Sequence, residues 1–182
     1  MVTFQFLTLY PASTFLSLKF IHSRVTFEEE LPSVFETLKS VACFSLVSEA
    51  YFYYSHRLLH HPLLFQHCHA FHHTYTAPIA LESLYFNPIE SLIQSLVLVA
   101  GPLLLGCHVM LLHGYSSFAL TLVILHHTGY HIPGDHSPGI GSMVEFHDKH
   151  HAVFHKNFGV TGWLDWLHGT LYNGKESLGK TK

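Results

Sequence analysis

Apolar and polar residues alternate along this chain in blocks, and the blocks predict helices separated by short breaks. Residues 1–20 are almost wholly apolar, with Pro11 placed to kink them. Residues 22–39 are the most polar stretch of the first half and read as a connector. An apolar helix is expected from near Pro32 to His60, ended by Pro62, which disfavours helical geometry at the residue before it. A short helix over 63–76 and a loop through Thr76–Pro78 follow. From Pro88 to Leu105 the chain is strongly apolar, and Gly101-Pro102 is expected to kink or end that stretch. A second apolar stretch runs from Tyr115 to Leu125. Each is short for a full bilayer crossing, and together they fit a membrane hairpin, tilted or partly crossing. After His131 a Gly- and Pro-rich loop leads into a last helix over His147–His151, then NFGVTGWLDWLHGT and a polar tail.

Composition supports a membrane setting. The chain has 182 residues, enough for one core, and is 48% hydrophobic but only 12% charged, against about 25% in soluble domains. No Lys or Arg occurs between Arg57 and Lys149. The net charge of −3 and the lack of a basic patch argue against nucleic acid as a partner. Cys43, Cys68 and Cys107 are scattered in or near apolar stretches and read as buried thiols, not as a disulfide framework. The N-terminal segment lacks a basic start and a small-residue cleavage site, so it reads as an embedded or interfacial segment and not as a secretory signal.

Histidine is the anomaly, with 19 in the chain. Four groups stand at helical spacing: His56, His60 and His61; His69, His72 and His73; His127 and His131; His147, His150 and His151. Side chains at i, i+3 and i+4 share one helix face, and imidazole is the commonest protein metal ligand. Packed together without a metal, each buried nitrogen lacking a partner would cost about 1–3 kcal/mol, and protonating neighbours would add repulsion. Coordination removes both penalties, and this many imidazoles suffice for a pair of metals. Imidazole suits Fe, Zn, Cu and Ni, so the donor set alone does not select among them. Two clusters follow one apolar helix and two follow the hairpin, which returns the chain to the side it left. All four are therefore expected on one side of the bilayer, with Arg57, Lys149, Lys156 and the C-terminal lysines, and the positive-inside rule makes that side cytosolic.

Among the remaining histidines, His61 reaches the site only if the helix ends there, and His155 is a possible extra ligand. His126 faces away from its neighbour, and His22, His67, His108, His113, His136 and His168 read as surface, turn or core residues. Glu49, Glu82, Glu90, Glu145 and Asp148 lie near the clusters as possible acceptors that orient imidazoles, Asp148 foremost. Tyr75, Tyr85, Phe86 and Tyr130 are candidates for an apolar entry or for packing.

The order HRLLH, HAFHH, HTGYH, HDKHH resembles the membrane fatty acid hydroxylase/sterol desaturase superfamily. YFYYSHRLLHHP, TAPIALESLYFNPIE, HHTGYHIP, EFHDKHH and GVTGWLDWLHGT are similar to the branch of C4-methylsterol oxidases and the fatty acid hydroxylase domain-containing protein 2 type. The resemblance covers roughly residues 31–172. It implies an all-α fold of membrane-embedded helices with a cytosolic helical cap holding a His-rich dimetal site, in the endoplasmic reticulum membrane. It leaves 1–30 as an N-terminal apolar segment and connector, shorter than in that family and so lacking one transmembrane helix or more, and 173–182 as a polar tail. It implies two Fe ions, which Zn can replace, held by His56, His60, His69, His72, His73, His127, His131, His147, His150 and His151, with the choice between His60 and His61 open. It further implies O2 as oxidant, electrons from NAD(P)H through cytochrome b5 and its reductase, and a membrane lipid or sterol as substrate. Ala70 stands where that family often has a basic residue, and Asn87-Pro88 where it has His-Pro.

Overall fold

The computed structural model describes residues 23–130 and 142–174, and these are predominantly helical. Helix α1 (Val34–Leu59) begins at a complete capping box. Ser33 accepts the Glu36 amide, and the Glu36 carboxylate accepts the Ser33 amide. Pro62 ends it as expected, and His61 caps the single turn Pro62–Leu64 that follows.

The next segment departs from expectation. The second histidine cluster is not carried by a regular helix. Phe65–His69 is a π-helical turn and His72–Thr74 a 3-10 turn, with His73 outside helical geometry. Changing the pitch twice within ten residues re-aims the side chains, and π-turns of this kind often mark functional sites. Another 3-10 turn, Ala80–Leu84, leads to Asn87. Asn87 caps helix α2 (Pro88–Val97) by accepting the Glu90 amide, and its own amide donates to the carbonyls of His67 and Cys68. The residue in the His-Pro position thus ties the π-turn to the start of α2.

The apolar stretch after α2 breaks at Leu98–Val99 and resumes as helix α3 (Ala100–Leu105). The kink was expected at Gly101-Pro102 itself. Proline lacks the N–H that would bond the carbonyl four residues back, and its ring crowds that carbonyl. That residue is Leu98, so the break falls there. The freed carbonyl of Leu98 accepts the Ser116 hydroxyl at 3.1 Å, and that of Val97 accepts the Ser48 hydroxyl at 2.8 Å. Gly101 lets α3 approach α1: a Cβ there would stand 2.6 Å from the Phe44 Cα.

A two-residue parallel pairing, β1 (Val25–Thr26) with β2 (Cys107–His108), precedes helix α4 (Val109–His126). Helix α4 starts six residues earlier than the expected Tyr115. Among the described residues it is the one helix long and apolar enough to cross a membrane, and 17% of it is buried. Helix α2 is about 15 Å long at 1.5 Å per residue, half a hydrocarbon core, so the expected first arm of a hairpin is two short helices. Helix α5 (Met143–Val153) carries the fourth cluster and ends at Phe154 in the left-handed region. Helix α6 (Trp163–His168) packs its Leu164 with Tyr53 and Phe158. The three cysteines are free thiols. His131, His136 and the loop around them lie outside the described residues, as does the N-terminal apolar segment.

Candidate metal centre

Nine of the ten expected ligands converge as two groups. His56, His60, His69, His73 and His150 form one, and His72, His127, His147 and His151 the other, with ring nitrogens in each group within 4.8 Å of one another. The tenth, His131, lies outside the described residues. The clusters do not map one to one onto the groups. His69 and His73, at i and i+4, join the five-histidine group, while His72 between them joins the other. In α5 the pair His147 and His151 enters the four-histidine group and His150 the five.

The second ring nitrogens fix the chemistry of the first. His56 Nδ1–H donates to the Phe158 carbonyl and His150 Nδ1–H to the Lys156 carbonyl, both at 2.7 Å. His69 Nδ1–H donates to the buried Glu90 carboxylate. In the other group His127 donates to the Val123 carbonyl at 2.7 Å and His151 to the Tyr75 carbonyl at 3.3 Å. A neutral imidazole that donates from Nδ1 has only a lone pair at Nε2. Yet Nε2 of His56 and of His69 face each other at 3.1 Å, and Nε2 of His150 lies 3.2 Å from that of His73. In the four-histidine group the spacings are 2.9 Å for His127–His147 and 3.1 Å for His147–His151. At His56–His69, where both rings donate from Nδ1, two lone pairs face each other and repel unless a cation lies among them.

The spacings suit one. Metal–nitrogen bonds of about 2.0–2.1 Å at right angles set neighbouring nitrogens about 3 Å apart. Protonation is no alternative way to relieve the crowding. Burial first, and neighbouring imidazoles second, hold His72, His73, His147 and His150 well below the ordinary histidine value, and His151 falls to about 3 for the same reasons. The donor set, its burial and its geometry therefore fit two transition-metal ions.

Of the carboxylates singled out from the sequence, Glu90 orients an imidazole as expected, and the others take different parts. Among the described residues Asp148 pairs with no imidazole, and its buried Oδ1 has no hydrogen-bond partner there. Glu145 pairs with Lys149 on the surface at 2.7 Å. Glu90 is the direct partner of an imidazole, and Glu82 acts one step removed, accepting the Tyr75 amide at 3.2 Å while the Tyr75 carbonyl receives His151. Burial pushes the Glu82 carboxyl up to about 7. Glu49 accepts the amides of Val160 and Thr161, and Asp165, not singled out from the sequence, accepts those of Phe158 and Gly159.

His60 is inside the site and His61 outside, exposed at the cap of the next turn. His155 belongs to neither group; its Nδ1 bonds the Val153 carbonyl. His126 is buried beside the site but joins neither group.

An apolar cavity of about 70 Å³ is lined by histidines of both groups. Phe52, Phe86, Leu98, Leu120 and Phe146 are among its walls, together with His56, His72, His127 and His147. Of the aromatic candidates Phe86 lines it; Tyr75 and Tyr130 are exposed elsewhere.

The fatty acid hydroxylase profile matches residues 41–170. Fatty acid hydroxylase domain-containing protein 2 of Homo sapiens is 44% identical over 142 residues, 78% of this chain and 41% of the relative. Very-long-chain aldehyde decarbonylase GL1-8 of Oryza sativa subsp. indica is 36% identical over 171 residues, 90% of this chain and 62% of the relative. Methylsterol monooxygenase 2-2 of Arabidopsis thaliana is 31% identical over 147 residues, 77% of this chain and 55% of the relative. The chain thus spans between two fifths and under two thirds of the curated relatives it matches, and no solved structure matches it. With a profile match that takes in all the described histidines of both groups, the chain belongs to the fatty acid hydroxylase family.

Proposed function

We propose that the protein is a membrane oxidoreductase that uses O2 to oxidise an unactivated C–H bond of a lipid at a non-haem di-iron centre. The observation that carries this reading is the apolar cavity lined by histidines of both groups. His56, His60, His69, His73 and His150 would hold one iron, and His72, His127, His147 and His151 the other. Bound there, two irons supply the redox chemistry by which O2, two electrons and two protons convert a C–H bond to C–OH and release water. The electrons come from NAD(P)H through cytochrome b5 and its reductase. The chain's own residues do the rest. Backbone carbonyls and Glu90 hold the imidazoles in the tautomer that presents Nε2. Aromatic and aliphatic walls exclude water and admit an apolar chain or ring system.

The protein sits in the endoplasmic reticulum membrane with its histidines toward the cytosol. Exposed apolar side chains support the bilayer: Phe35, Leu38 and Leu46 on α1, Leu104 and Leu105 on α3, Met110 and Phe118 on α4. A sterol, oxidised at a C4 methyl group, is the leading substrate, in line with the motif resemblance and a relative named methylsterol monooxygenase. A long acyl chain is the second reading, favoured by the match of 90% of this chain to a protein named very-long-chain aldehyde decarbonylase.

The test is O2 consumption by the iron-loaded full chain in lipid nanodiscs with cytochrome b5, its reductase and NADH. Lipid-dependent uptake and an oxidised product are expected with a 4-methylsterol, and no uptake across sterol and acyl substrates would contradict the proposal.

A further inference from the structure

We infer that Glu49 and Asp165 form a carboxylate clamp on the 156–161 loop and position two ligands of the five-histidine group, leaving the four-histidine group untouched. The inference rests on the metal reading above. Four successive amides in this loop point away from the site into carboxylates. Phe158 and Gly159 donate to Asp165 at 2.8 Å each, and Val160 and Thr161 donate to Glu49 at 3.2 and 3.3 Å. Two carbonyls of the same loop point toward the site, Phe158 to His56 and Lys156 to His150. Amides held on one side thus fix the carbonyls that aim two imidazoles on the other.

Nothing in the loop competes with this arrangement. Asp165 is fully buried and Glu49 nearly so. Asp165 also accepts the Thr170 hydroxyl at 2.7 Å, and the Thr170 oxygen in turn accepts the Tyr53 hydroxyl at 3.0 Å. Asn157, in the left-handed region, donates its side-chain amide to the Phe146 carbonyl at 3.0 Å, tying the loop to α5. Gly159 is required by the clamp: a Cβ would lie 2.7 Å from Glu49 Oε1 and 3.0 Å from Asp165 Oδ2. The four-histidine group has separate supports, Val123 for His127 and Tyr75 for His151. Site selectivity is therefore the signature of the clamp, whereas general damage would weaken both groups.

The experiment is a cobalt(II) titration of the full metal-stripped chain in detergent, followed by visible absorption, with circular dichroism to establish that each variant is folded. The wild type is expected to take two ions. Asp165→Asn puts an NH2 group against backbone donors, and Gly159→Ala forces the carboxylates back without removing charge. Each is expected to weaken one ion by about tenfold to a hundredfold, the range for losing an outer-shell partner, and to leave the other at wild-type affinity. Glu145→Gln, on the surface, is expected to change neither. Two wild-type affinities in folded Asp165→Asn and Gly159→Ala would overturn the clamp alone, and so would equal weakening of both ions. A wild type that binds no cobalt would overturn the metal reading instead.

Discussion

Adjacent residues in this chain serve different centres. His72 belongs to the four-histidine group and His73 to the five, because the chain passes from a π-turn into a 3-10 turn between His69 and His73. His60 and His61 differ more sharply, one within the site and the other exposed as a cap. His60→Ala is expected to lose one metal per chain and His61→Ala none, measured by elemental analysis. The spacing of the histidines made the donors legible, but not their division between two groups. A helical wheel assigns a face, and a face holding i, i+3 and i+4 looks like one site. Which neighbour each imidazole meets depends on the chain reversal that brings α5 against residues 69–75. The partners at Nδ1 were less legible still, since most are backbone carbonyls, which carry no residue-specific signal. Asp148 stands inside a cluster yet pairs with no described imidazole, whereas Glu90 and Asp165 act from elements distant in sequence.

At the scale of the helices, proline and glycine positions explain the shape of the apolar region. Pro102 breaks the helix at its missing bond to Leu98, and Ser116 and Ser48 satisfy the exposed carbonyls. Gly101 allows close contact with Phe44, which is itself buried against Tyr115 at a ring separation of 5.3 Å. Gly101→Ala is expected to force α1 and α3 apart and to destabilise the fold by about 1–3 kcal/mol, the usual range for overpacking, seen as a lower midpoint in thermal unfolding. An unchanged midpoint would mean that the packing gives way at no cost. The existence of α1, α4 and α5 followed from apolar runs and caps. The interruption of the first hairpin arm was legible in Gly101-Pro102 as well, falling at the carbonyl four residues before the proline, whereas the π- and 3-10 turns of the second cluster carry no such local signal.

For the whole molecule, burying so many imidazoles links folding to pH. Burial lowers His72, His73, His147, His150 and His151 in the folded, metal-stripped chain, while the unfolded chain titrates near the ordinary value of about 6.5. Below that value the unfolded state binds more protons, so stability is full above about pH 6.5 and falls as the pH drops toward the folded-state values. A metal-stripped sample is expected to lose its thermal midpoint steeply between about pH 6.5 and 5, and metal to shift the loss to lower pH, since metal binds only the neutral rings. A flat profile over that range would show that the imidazoles protonate without unfolding the chain.

The central claim is that the two histidine groups are two iron sites. The most direct measurement is the iron content of the full chain, purified without oxygen and reconstituted with iron(II), by elemental analysis. Two irons per chain are expected for the wild type, and one each for His72→Ala and His73→Ala, whose neighbouring side chains belong to different groups. One iron or none in the folded wild type would contradict it.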